Sequence, residues 1–164
     1  MSAPMTVRIR AVRGDDAAAI AAIDAAHTGR TKRLFWRDAI ARHAGGRRGA
    51  GQRIGLVAVE GPKNIVVGYV LGQVRSFEFG SEPCGWIFAL GVRPRRLRDG
   101  IATRLFDEAR RRFARQGIAL VRTMVRRDDI SVLTFFRSRG FVAGPYVELE
   151  LPAGEAVVSE REAS

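Results

Sequence analysis

The chain has 164 residues, with 28 Lys and Arg against 17 Asp and Glu and a formal net charge of +11 at pH 7. That length suits one domain spanning 1–164, and 46% hydrophobic with 27% charged residues excludes global disorder. One cysteine, Cys84, excludes an internal disulfide, the two histidines His27 and His43 give no metal-ligand spacing, and no apolar run reaches the roughly 18 residues of a membrane helix. With no secretory signal at the N-terminus, a reducing, cytoplasmic setting is the expectation.

Val7 to Val12 alternates apolar and polar residues, the period of a half-buried strand. Gly14-Asp15-Asp16 supplies turn and capping chemistry, and Ala17 to Ala26 reads as a helix with Ile20 and Ile23 inward. Within 27–53 the reading is ambiguous: Leu34, Phe35, Ala39 and Ile40 fit one helical face, and the glycine-rich run 45–51 reads as a flexible loop. Ile54–Glu60 and Ile65–Ser76 flank the turn Gly61-Pro62-Lys63-Asn64 and predict an antiparallel pair. A further strand runs from Gly85 to Val92. An amphipathic helix follows from about Gly100 to Gln116, with Ile101, Leu105, Phe106, Ala109 and Phe113 on one face. Ala119–Val125 is a fifth strand, Ile130–Arg139 a last helix, and Phe141–Leu151 one or two final strands before an acidic tail at 152–164. The expected fold is α/β, a mixed and mostly antiparallel central sheet of six to seven strands with helices on both faces. Residues 86–125 should form a parallel, right-handed crossover.

Chemistry concentrates where a buried strand meets a helix start, at Val92 to Thr103. Orphan N–H groups and the helix dipole make such a junction a receiver of phosphate, Gly100 lets a ligand approach the backbone, and Arg95, Arg96 and Arg98 add cations. By itself, Gly100 reads rather as a turn glycine, because a lone glycine pattern is weak evidence. Val92, Pro94, Gly100, Ile101 and Ala102 together stand in register with Val-x-Pro-x-x-(Gln/Arg)-x-x-Gly-x-(Gly/Ala), so the run resembles motif A of the GNAT N-acetyltransferase superfamily. Asp129, Phe136 and Gly140-Phe141 stand where that family has an Asn, an aromatic residue and Gly-Phe, and the resemblance runs from about Val7 to Leu151.

The resemblance implies an acetyl-CoA-dependent N-acetyltransferase with no metal. It assigns Leu90, Gly91 and Val92 to the pantetheine and acyl carbonyl. Leu97, Arg98, Asp99, Gly100, Ile101, Ala102 and Thr103 would hold the pyrophosphate, Asp129, Phe135 and Phe136 flank the pantetheine, and Arg139 reaches the nucleotide phosphate. The acceptor would be an unidentified amine, and a homodimer is compatible with the family. Leu97 replaces the usual Gln/Arg, Asp129 the usual Asn, and Phe136 the Tyr that protonates the departing thiolate.

No catalytic acid or base declares itself. Glu78 and Glu82 read as solvated loop carboxylates or as activators of an amine, and Tyr69 and Tyr146 as packing or as polar groups in the cleft. Cys84 reads as a small core residue rather than a nucleophile. Phe35 and Trp36 either pack or line an acceptor pocket, with Arg30, Lys32, Arg33 and Arg37 around them. Arg104–Glu108, Asp107–Arg111 and Glu108–Arg112 are i,i+4 pairs of a solvated helix face. Within 93–127, twelve arginines meet only Asp99, Asp107 and Glu108, so the excess charge gathers around the proposed polyanion site. A catalytically silent acyl-CoA sensor is the alternative, and nucleic-acid binding ranks last.

Overall fold

The computed structural model describes residues 6–44 and 52–154, in two compact units that divide between Met124 and Val125. In the first, β1 (Val7–Ala11), β2 (Arg53–Glu60), β3 (Ile65–Arg75), β4 (Cys84–Val92) and β5 (Val121–Thr123) form one sheet in chain order. The first three pairings are antiparallel and β4–β5 is parallel, as the crossover through a helix requires.

Three helices cover the sheet. On one face α1 (Ala17–Thr28) and α2 (Arg33–Ala44) bury Ile20, Ile23, Trp36, Ala39 and Ile40 with Val57, Val59, Tyr69 and Leu71. On the other, α3 (Ile101–Arg115) packs against β2, β3 and β4. There Gly68, Gly72 and Gly85 replace side chains so that α3 can approach: a Cβ at Gly85 would lie 2.7 Å from the Phe113 ring. Alternation along β3, with Tyr69 and Leu71 to one side and Gly68 and Gly72 to the other, therefore assigns each helix its face.

Two expectations need correction. The described residues hold five strands rather than six to seven, because none forms across Phe141–Leu151. Val147, Leu149 and Leu151 alternate as a strand would, yet they are 75%, 89% and 91% exposed. Period-2 patterning permits a strand, and a ladder partner is still needed to make one. The buried face of α2 is also rotated from the one expected: Trp36, Ala39 and Ile40 are inward, and Leu34 and Phe35 are exposed. The glycine-rich run 45–51 and the end of the acidic tail lie outside the described residues.

The second unit, Val125–Ser164, contains α4 (Ile130–Ser138). Asp129 caps it, its carboxylate accepting the Val132 N–H at 3.0 Å. Gly140, at φ 93°, turns the chain so that the Phe141 ring stands edge-on to Phe136 at 5.0 Å. Among the described residues no helix is long and apolar enough to cross a membrane.

Candidate active site

The site begins with an irregularity in β4. Opposite β3 the register runs Leu71↔Ala89 and then Gly72↔Ile87, so Phe88 is an extra residue and the strand bulges there. On the other side, β5 pairs only with Gly85, Trp86 and Ile87. Beyond Ile87 the two strands part, and among the described residues no strand pairs with Phe88 to Leu90 on that side, leaving an open edge.

Which atoms face that edge follows from alternation. The Arg93 N–H bonds to the Val67 carbonyl of β3, so residues 93, 91 and 89 turn their polar groups toward β3, and 92 and 90 turn theirs away. The Val92 carbonyl is met by His27 Nε2 at 2.6 Å. A carbonyl can only accept, so Nε2 carries the proton and His27 donates, pinning the end of β4 to α1. The Leu90 N–H and carbonyl face the same open side. Gly91 acts differently, for its polar groups pair with Tyr69 and its missing Cβ admits the Tyr69 ring, which a Cβ would meet at 2.7 Å.

After β4, a 3₁₀ turn at Pro94–Arg96 and the turn Leu97–Gly100 lead to α3. Gly100 is the N-cap at φ 72°, the left-handed region that a glycine enters without strain. The first helical bond is Arg104 N–H to the Gly100 carbonyl at 3.1 Å, so the amides of Ile101, Ala102 and Thr103 have no intrahelical acceptor. Gly100 has no side chain to cap them, and space beside its Cα is open. Of the nearby cations, Arg96 is committed to Glu60 and Asp99, which also occupies Asp99. Arg95 and Arg98 are exposed, without an ion pair among the described residues. Leu97 is 57% exposed and offers no donor.

A cavity of about 320 Å³ lies on the α1/α2 side of β4, lined by Asp24, Lys32, Phe35, Trp36, Tyr69 and the strand segment Phe88–Leu90. Asp24 is buried in it and is the residue that sequence reasoning missed. Its carboxylate accepts Trp36 Nε1–H at 3.0 Å, and Lys32 Nζ sits across both oxygens at 2.9 and 3.3 Å. The signal was present, since Asp24 follows Ile20 by four residues and shares its inward face. Trp36 is fixed further by Tyr69, ring edge to ring face at 5.2 Å, so both expected aromatic residues line this cavity. Burial, and next the Asp24 charge, push the Tyr69 phenol well above its ordinary range. The phenol therefore keeps its proton and is a poor acid toward a thiolate.

Within the first unit, the other candidates lie away from this cavity. Glu78 is ion-paired to Arg75, and Glu82 precedes Cys84, roughly 20 Å up the strand from Leu90 at about 3.3 Å per residue. Cys84 is buried at that far end. His43 donates Nδ1–H to the Ala39 carbonyl at 2.7 Å, and burial lowers its pKa. Of the expected helix pairs, Glu108–Arg112 forms at 3.0 Å, joined by Glu108–Arg111, whereas Arg104 instead donates to the Val7 carbonyl. In the second unit, Asp129 caps α4 through Oδ1, Phe135 and Phe136 stand edge to face at 5.2 Å, Arg139 is exposed and Tyr146 is 46% exposed.

The comparisons with known proteins bear on the family and the fold. The model of the acetyltransferase (GNAT) family matches residues 21–141. The chain belongs to the GNAT acetyltransferase family. A search of the curated proteins gives no match. Among solved structures, the chain is similar to the aminoglycoside N-acetyltransferase AAC(6')-Iy in complex with CoA, at 11% identity and TM-score 0.77, covering 94% of this chain and 99% of that one. It is also similar to AAC(6')-Ih from Acinetobacter baumannii, at 14% identity and TM-score 0.72, covering 91% and 100%. A ribosomal-protein-alanine N-acetyltransferase from Brucella melitensis follows at 15% and 0.67, covering 90% and 99%. At these identities the likeness is one of fold, and these GNAT relatives name different acceptors.

Proposed function

We propose that the protein transfers an acetyl group from acetyl-CoA to a primary amine, of a small molecule or of a protein N-terminus or lysine, by direct attack on the thioester. The parting of β4 from β5 carries this reading. Among the described residues it leaves the Leu90 N–H without a backbone partner, between a helix start suited to phosphate and a cavity that holds a carboxylate.

The residues present suit such a donor. The amides of Ile101, Ala102 and Thr103 receive the pyrophosphate, aided by the helix dipole and by Arg95 and Arg98. An extended pantetheine adds to the open edge of β4 as a strand would, using the Leu90 N–H and carbonyl and the Val92 N–H, since His27 holds the Val92 carbonyl. Polarisation of the thioester carbonyl falls to the Leu90 N–H, which strengthens as the oxygen becomes an oxyanion. The amine must arrive neutral. Its surplus proton goes to water as the C–N bond forms, and the departing thiolate, with a thiol pKa near ~8.5, needs little help from an acid. Phe136, which has no phenolic proton to give, is therefore compatible with turnover, although it also favours the sensor reading.

The test is a thermal shift with acetyl-CoA. Saturation at a hundred times Kd stabilises the native state by about 2.7 kcal/mol, which at ~2–4 °C per kcal/mol raises Tm by roughly 5–10 °C. Absence of a shift sinks the donor assignment. Release of free thiol against a panel of amines then separates an enzyme from a sensor.

A further inference from the structure

The cavity beside β4 contains an amine of the chain itself. Lys32 Nζ lies 2.9 Å from the Asp24 carboxylate, and both residues line the cavity whose floor includes Ala89 and Leu90 of β4. Lysine is scarce here. Among 28 basic residues other than histidine, only Lys32 and Lys63 are lysines, and Lys63 stands exposed in the β2–β3 turn. A guanidinium keeps its proton and is not acetylated under such conditions, so an arginine at 32 would serve the ion pair equally well and be inert. We propose that Lys32 is a self-acetylation site: its amine, delivered by Asp24 beside the open edge of β4, takes the acetyl group from a bound acetyl thioester of coenzyme A.

This inference rests on the donor reading of the open edge. In the step, the Lys32 ammonium loses one proton to water, and its nitrogen lone pair forms the C–N bond at the thioester carbonyl. The C–S bond breaks, and the thiolate leaves and takes up a proton. One thioester and one ammonium become one amide, one thiol and one released proton. No oxidant or metal is needed. An ammonium has no lone pair, so that proton leaves before the nitrogen attacks.

Asp24 fixes the reacting group without blocking it. The Trp36 indole N–H holds one carboxylate oxygen, so the carboxylate cannot turn away with its partner. The Lys32 side chain remains 38% exposed, which leaves Nζ reachable from the cavity and the tail free to advance. Holding a nucleophile next to a bound electrophile replaces a bimolecular encounter by an intramolecular one.

The whole chain is incubated with acetyl-CoA and then mapped by peptide mass spectrometry. The expected result is one acetyl group at Lys32, arriving ~10-fold or more faster than at Lys63 or the N-terminal amine, as proximity should give. Lys32→Arg keeps the cation and should remove that label while leaving the acetyl-CoA thermal shift in place. Gly100→Val, which disturbs the phosphate end, should lower label and shift together. Without acetyl-CoA, a water-soluble N-hydroxysuccinimide acetate should reverse the order and modify the open Lys63 faster than the ion-paired Lys32. A normal thermal shift with Lys32 labelled no faster than Lys63 overturns self-acetylation and leaves the donor reading intact. Absence of both shift and label overturns the two together.

Discussion

Gly100 carries the sharpest test of the phosphate end. It caps α3 at φ 72° and ψ 12°, and an added Cβ would meet nothing within 4 Å. Gly100→Ala therefore introduces no collision, and its cost is conformational. An L-residue in the left-handed region costs about 1–2 kcal/mol, offset by about 0.4–1 kcal/mol from a stiffer unfolded chain. A net loss near ~1 kcal/mol lowers Tm by about 2–4 °C for a chain of this size. Gly117 provides the control. It has φ 77°, also stands in open space, and follows the opposite end of the same helix, ~22 Å away for 15 residues at 1.5 Å each. Gly117→Ala should lose similar stability. Only Gly100→Ala should weaken CoA, by about tenfold or ~1.4 kcal/mol, because relief of the strain swings the amides of Ile101, Ala102 and Thr103 out of line. Urea denaturation without ligand and calorimetric titration with CoA read the two effects separately. Equal stability losses with unchanged CoA affinity in both variants would refute the placement of phosphate at this helix end.

Gly85→Ala forces a Cβ to 2.7 Å from the Phe113 ring, which is fully buried, and should cost about 1–3 kcal/mol by overpacking. Phe113→Leu in the same chain should recover part of that loss in urea midpoint. Trp36→Phe removes the indole donor to buried Asp24 and should cost about 1–3 kcal/mol in urea; a neutral result would mean that the carboxylate finds another donor. Acid sensitivity should centre on Asp16. Burial pushes its carboxyl up, but the Arg10 hydrogen bonds at 2.8 Å and the Arg13 amide outweigh this, leaving it below the ordinary value. A folded value below the unfolded one means that the contribution is whole above pH ~4 and disappears as pH falls through the folded value. Asp16→Asn should flatten that limb of the stability–pH profile; an unchanged profile would move the acid sensitivity elsewhere.

Local pattern determined much of this protein. Alternation in Val7–Val12, turn chemistry at Gly61–Asn64 and the apolar face of Ile101–Phe113 gave element types and most boundaries. The motif from Val92 to Ala102 was legible because this helix start places its N-cap in the left-handed region, which a glycine enters without strain. Tertiary structure decided the remainder. Alternation at Val147–Leu151 did not become a strand, since a ladder requires a partner that no local pattern supplies. The rotation of α2 depended on Asp24, twelve residues before Trp36 and on another helix. Neither the bulge at Phe88 nor the departure of β5 after Ile87 leaves a residue signature. Both arise from pairings across the sheet, and among the described residues they leave the Leu90 N–H without a strand partner. Periodicity records which side of an element is buried, and only the packed chain determines which buried or unpaired groups come together.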